Sequence, residues 1–260
     1  MKKMFFLIAT LSITGVSNLR AFTGISDTSR RQVSQKRDLK GFDKIVSDAA
    51  ADLNISQGPS ESVSITAANP DIFNYVHTEV INGELIVKLL KSDKYNWENQ
   101  GNFTGGLTGE RPNHITIDIT VKKLNMIRLS GSAIAYSSGK LSGENLKVET
   151  VGSSGIKGQL LFTKVTGKIS GSSHVSLSGQ AGTVDIEMSG SSAFSGEQLS
   201  ATAIKLSLAE NSVATVQGSE KIRGQAAGNS RLFYSGEFPK QFSILGNATV
   251  KQLTVTEPRR

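Results

Sequence analysis

The sequence predicts an all-β protein: a parallel β-helix, or a closely related β-solenoid, with coils of about 19 residues, preceded by a β-rich N-terminal capping region. Three observations carry this. A Gly-Ser mark recurs through the second half, apolar residues alternate on both sides of each mark, and Gly is abundant (26) while Pro is scarce (5), as suits many tight turns.

The marks fall at Gly131, Gly152, Gly171, Gly190, Glu210, Gly228 and Gly246, at intervals of 21, 19, 19, 20, 18 and 18 residues. Inward positions precede each mark: Val165, Gly167 and Ile169 in one unit, Val184, Ile186 and Met188 in the next, Ile204, Leu206 and Leu208 after that. This period of two belongs to strands. Four positions after the mark a second apolar column reads Ala135, Ile156, Val175, Phe194, Ala214, Leu232 and Val250. Eight positions after it, Gly139, Gly179, Gly218 and Gly236 indicate a second bend. One such unit cannot bury its apolar face alone, but stacked units bury a continuous one. Ile186 and Leu206 are therefore expected as neighbours inside the stack.

Stacking aligns Ser132, Ser153, Ser172, Ser191, Asn211, Asn229 and Asn247 in one column, a structural polar ladder in which hydroxyls and amides satisfy one another between coils. Three positions before the mark, Arg128, Glu149, Lys168 and Glu187 alternate in sign, so stacked neighbours attract.

The chain divides into residues 1–21, 22–37, 38–125 and 126–256. The first segment, Met-Lys-Lys followed by the apolar Met4 to Val16, is too short to span a bilayer and reads as a secretory signal peptide. Its removal with Lys2, Lys3 and Arg20 lowers the net charge from +7 to +4, a balance that does not point to nucleic acid. Residues 22–37 read as a basic, solvated linker. In residues 38–125, Val63 to Thr66 and Ile115 to Val121 alternate as strands, and Asn82-Gly83 between Thr78–Ile81 and Glu84–Val87 marks a hairpin. This region is expected to cover one end of the solenoid. No second apolar stretch approaches the length of a membrane span.

Chemistry-bearing residues are few. There is no Cys, and His77, His114 and His174 are far apart in sequence, so neither a metal centre nor a cofactor site is expected. No acidic column suited to a polysaccharide-active β-helix enzyme emerges, and the chain reads as a non-enzyme. The long polar insertion Ser92 to Asn113 carries Tyr95, Trp97 and Phe103 among Asn96, Asn99 and Asn102. Aromatic faces on a polar loop stack on sugar rings, so Tyr95, Trp97, Asn99 and Phe103 form the candidate ligand site. Tyr136, Phe233 and Tyr234 form a weaker candidate patch.

Leu39 to Ile45, Asp52 to Gly58, Asn82 to Val87 and the passage Ile117 to Ala133, taken in that order, resemble the family of putative auto-transporter adhesins with a head GIN domain. The resemblance extends over about residues 38–256 and supplies no catalytic residues. It implies an all-β fold and an exported location: the periplasm, the outer membrane or the surface of a Gram-negative cell. With the chain ending at Arg260, the long C-terminal membrane barrel of a classical autotransporter is not expected. The partner implied is a surface glycan or an envelope protein. The alternative is a structural envelope protein that self-assembles as a homo-oligomer through its solenoid ends.

Overall fold

The computed structural model describes residues 32–95, 114–217, 221–235 and 241–253. The expected signal peptide, most of the expected linker, and Trp97, Asn99 and Phe103 lie outside the described residues. Seventeen strands and one 3-10 turn make up the fold, and no α-helix occurs among the described residues.

The repeat region is a parallel β-solenoid. Strand β8 (Met126–Leu129) is followed by the long, bent strands β9 (Ile134–Thr150), β10 (Gly155–Ile169), β11 (His174–Met188) and β12 (Ala193–Leu208). Shorter strands continue the stack: β13 (Val213–Val216), β14 (Lys221–Ala226), β15 (Arg231–Tyr234), β16 (Gln241–Ile244) and β17 (Thr249–Gln252). Every pairing among these strands is parallel. Ile186 pairs with Leu206, and both are buried, as the repeat predicts.

Each coil has one tight corner, at the Gly-Ser mark. Gly171 there has φ +74°, and a Cβ on it would lie 2.8 Å from the Gly152 carbonyl oxygen of the coil below, so both handedness and space exclude a side chain. Glu210 is the one non-glycine mark, at φ +59°, and its Oε2 accepts a hydrogen bond from the Gly190 amide at 2.9 Å. The remaining bends are gentler than two discrete corners require: the strand runs through them, with register shifts at Lys157/Gln159 and Ser176/Ser178. Gly139 and Gly179 sit at these bends with φ +93° and +101°.

Burial follows the inward columns, from Ile156, Val175, Phe194 and Leu232 after the corner to Ile169, Met188 and Leu208 before it. Each side chain of this size removed from water contributes about 1.5 to 3 kcal/mol. Complementary sizes fill the stack. Ile186 occupies the space left at Gly167, where a Cβ would meet its Cδ1 at 2.6 Å.

A buried hydroxyl column lies one residue after the Ser132-to-Asn247 column: Ser154, Ser173, Ser192, Ser212 and Ser230. Ser173 Oγ donates to the Ser170 carbonyl at 2.6 Å, and Ser212 Oγ to that of Ala209 at 2.8 Å, closing each corner from inside. In the column itself, Asn229 Nδ2 donates to Asn211 Oδ1 and Asn247 Nδ2 to Asn229 Oδ1, each at 3.3 Å. At Ser153, Ser172 and Ser191 the backbone amides bond the carbonyls of Gly131, Gly152 and Gly171 one coil below.

The N-terminal region is woven into the solenoid. It contains β1 (Val33–Arg37), β2 (Lys44–Ser47), β3 (Asp52–Gln57), β4 (Ser62–Ala67), the 3-10 turn Pro70–Asn74, β5 (Val76–Ile81), β6 (Glu84–Leu89) and β7 (Ile115–Val121). Strand β1 uses the last five residues of the segment expected as a linker. Strand β2 pairs in parallel with both β6 and β8, and β3 with both β7 and β9. The chain thus lays down one coil early and later adds coils on either side of it. The cap proper is antiparallel: β4 covers β7, β1 covers β4, and β5 covers β6 through the expected Asn82-Gly83 turn, with φ +52° and +77°.

Candidate functional site

Two places on the described surface bring together residues able to recognise a ligand. The first is the base of the long insertion. Lys94 bridges to Asp71 at 2.8 Å, and the Tyr95 ring packs edge-on against Tyr75 with centroids 5.4 Å apart. Tyr95 is only 8% exposed, so its ring belongs to the anchor of the insertion rather than to an open surface. Lys94 Nζ lies 5.4 Å from that ring's centroid. Its pKa is raised, first by the hydrogen bond to Asp71 and then by the interaction with Tyr95.

The second is a β face on which β1, β4, β7, β3, β9, β10, β11, β12, β13, β15 and β17 follow one another. From β9 onward its outward residues form two columns. One reads Tyr136, Lys157, Ser176, Ser195, Thr215, Phe233 and Lys251; the other reads Ile134, Gly155, His174, Ala193, Val213, Arg231 and Thr249. Tyr136 is 37% exposed, and Phe233 projects outward between buried Leu232 and Tyr234. Of the three aromatics in the weaker patch, two therefore share one column and Tyr234 is in the core. Counting five positions after each mark in the sequence finds this column directly, including Lys157 and the three hydroxyl residues between the aromatics.

The opposite outward column carries the expected alternation of charge. Arg128 Nε donates to Glu149 Oε2, Lys147 Nζ lies 2.6 Å from Glu149 Oε1, and Lys168 lies 3.5 Å from Glu187. Burial opposes ionisation of Glu149, but the hydrogen bonds and positive charges of Lys147 and Arg128 outweigh it, so the carboxyl titrates below its usual range. A lowered native pKa stabilises the fold above the unfolded value of about 4.3, and that contribution disappears as pH falls through the native value. In urea titrations the mature protein should therefore exceed Glu149→Gln in stability by about 1 kcal/mol near pH 7, and the gap should close as pH falls below the unfolded value of about 4.3 and through the lowered native one.

The surface depression over Phe162, flanked by Gly143 and Gly182, is a packing feature. A Cβ at Gly143 would press on the Phe162 ring at 2.8 Å, and one at Gly182 on the Thr163 carbonyl at 2.5 Å. Among the described residues no three His, Asp or Glu side chains come together as a metal site. No helix among them is long and apolar enough to cross a membrane.

Comparison with known proteins agrees with this architecture. A crystal structure of a putative adhesin from Bacteroides fragilis matches with a TM-score of 0.70 at 20% identity, covering 86% of this chain and 98% of that one. A putative lipid binding protein from Parabacteroides distasonis matches with a TM-score of 0.62 at 15% identity, covering 86% and 97%. A putative adhesin from the same species matches with a TM-score of 0.60 at 18% identity, with the same coverages. At these identities the likeness is one of fold. A search of curated proteins finds no match. The family model described as "putative auto-transporter adhesin, head GIN domain" matches residues 41–237, and the chain belongs to that family.

Proposed function

We propose that the mature chain is an exported, non-enzymatic, adhesin-like protein of the cell envelope that binds a surface glycan or protein. Membership of the adhesin family is the observation that carries this reading. The fold suits the task, because a stack of buried coils holds its surface residues in fixed register. In this reading the insertion after Lys94 is one contact region: Tyr95 anchors its base, and Trp97, Asn99 and Phe103 meet the ligand.

The mature protein and Trp97→Ala should be compared on a glycan array and on immobilised envelope fractions. Loss of most of the binding, about tenfold or more, with an unchanged melting temperature supports the insertion as a contact. Undiminished binding removes Trp97 from it.

A second reading, end-to-end assembly of two copies, is favoured by the last described coil. Among the described residues, β16 pairs with β14 and β17 with β15, and Ile244, Leu245 and Leu253 there are 46%, 55% and 38% exposed. Light scattering that rises with concentration, and that Leu245→Lys suppresses, would move the account toward assembly.

A further inference from the structure

We infer that the face running from β9 through β10, β11, β12, β13 and β15 to β17 is a second binding surface, for an extended anionic polysaccharide running along the solenoid axis. This deepens the adhesin-like reading and rests on it, but it concerns residues remote in sequence from the aromatic insertion.

The argument begins with register. Tyr136 and Phe233 stand in one column separated by five rungs of parallel strand, which places them about 24 Å apart. Between them the column carries Lys157 and then Ser176, Ser195 and Thr215, with Gly155, His174, Ala193 and Val213 beside them. Aromatic rings therefore close the two ends of a track whose floor, apart from Lys157 and His174, is short side chains. A polymer lying along this track meets hydroxyl donors at about 4.8 Å intervals and an apolar ring face at each end.

Charge selects the polymer. Over β9 to β17 the two columns contain Lys157, Arg231, Lys251 and His174, and no carboxylate. Glu197 stands outside them, in the bulge between Ser195 and Gln198. The same two columns nearer the N-terminus carry Asp52 and Asp118 instead, so the basic stretch begins at β10. Lys157, Arg231 and Lys251 are cations that an uncharged glycan would not engage, whereas a chain of uronate or sulfated sugars supplies anions to meet them as well as ring faces. The track is also too poor in large apolar side chains between its ends to suit a lipid surface.

The test uses the full mature chain with defined probes: oligo-uronates of two and six sugars, a neutral glucan hexamer, and single-stranded DNA of similar length. The expected result is binding of the hexa-uronate that falls as salt is raised, with weak binding of the di-uronate and of the neutral hexamer. Tyr136→Ala and Phe233→Ala should each weaken hexa-uronate binding by about tenfold. Lys157→Glu with Arg231→Glu should abolish it, and all four changes should leave the melting temperature close to that of the parent because these side chains point outward.

Absence of hexa-uronate binding, equal binding of the neutral hexamer, or preferential binding of DNA would overturn the inference. If Trp97→Ala abolishes glycan binding while the three track variants do not, the track fails and the insertion stands. If the track variants lose hexa-uronate binding, the track stands, and the separate comparison of Trp97→Ala on the glycan array decides the insertion.

Discussion

Replacing Ile186 with Asp is expected to destabilise the mature protein by about 4 kcal/mol or more, enough to unfold it at moderate temperature. Ile186 is 1% exposed, pairs with Gly167 below and Leu206 above, and fills the space that Gly167 leaves vacant. An Asp there would carry its charge into a column with no cation and no open route to water, and it would also empty the gap above Gly167. Ile186→Val, which keeps the apolar character, should cost only about 0.5 to 1.5 kcal/mol. Urea unfolding followed by circular dichroism reads both. An Asp variant as stable as the parent would mean that the strand faces the other way, because a one-residue slip turns every inward side chain outward.

Gly171→Ala is the second large effect, expected at about 2 to 3 kcal/mol, because two costs coincide at one corner. The residue has φ +74°, which disfavours any Cβ, and the Cβ would also sit 2.8 Å from a backbone oxygen that a neighbouring coil holds fixed. Gly139→Ala separates the two costs. It has φ +93° but nothing within 4 Å of the added atom, so only conformational strain of about 1 kcal/mol applies. Equal losses for the two variants would show that contact between coils at the corner is not the tighter constraint. Glu210 shows how a coil manages without glycine: the left-handed angle is kept, and the side chain caps the Gly190 amide.

The parts of the fold that repeat were legible because each coil writes the same instruction again. A single Gly171 or Ile186 signals little, but their recurrence fixed the inward columns, the pairing of Ile186 with Leu206 and the ion pairs Arg128–Glu149 and Lys168–Glu187. Within the Gly-Ser-Ser corners the two hydroxyl residues look alike in sequence. Only the left-handed turn decides that Ser173, rather than Ser172, enters the core. The place of β2 and β3 was not legible either, since Ile45 finds both Leu85 and Ile127 across long stretches of chain that no local pattern records. Val33–Arg37 looked like linker because its outward Lys and Ser suit an exposed edge, yet the same residues pair with β4. Tyr136 and Phe233 were visible as aromatics, and a count of five positions after each mark already puts both in one column, whereas Tyr234 enters the core by the alternation of its strand.

The adhesin-like account depends on the folded chain meeting the outside of the cell, and protease treatment of intact cells tests this most directly. The mature chain would be followed by antibody, beside a periplasmic control protein that must survive. The account predicts degradation of the chain while the control stays intact. Protection of both, with degradation of both after the outer membrane is opened, would contradict it and leave a periplasmic structural role.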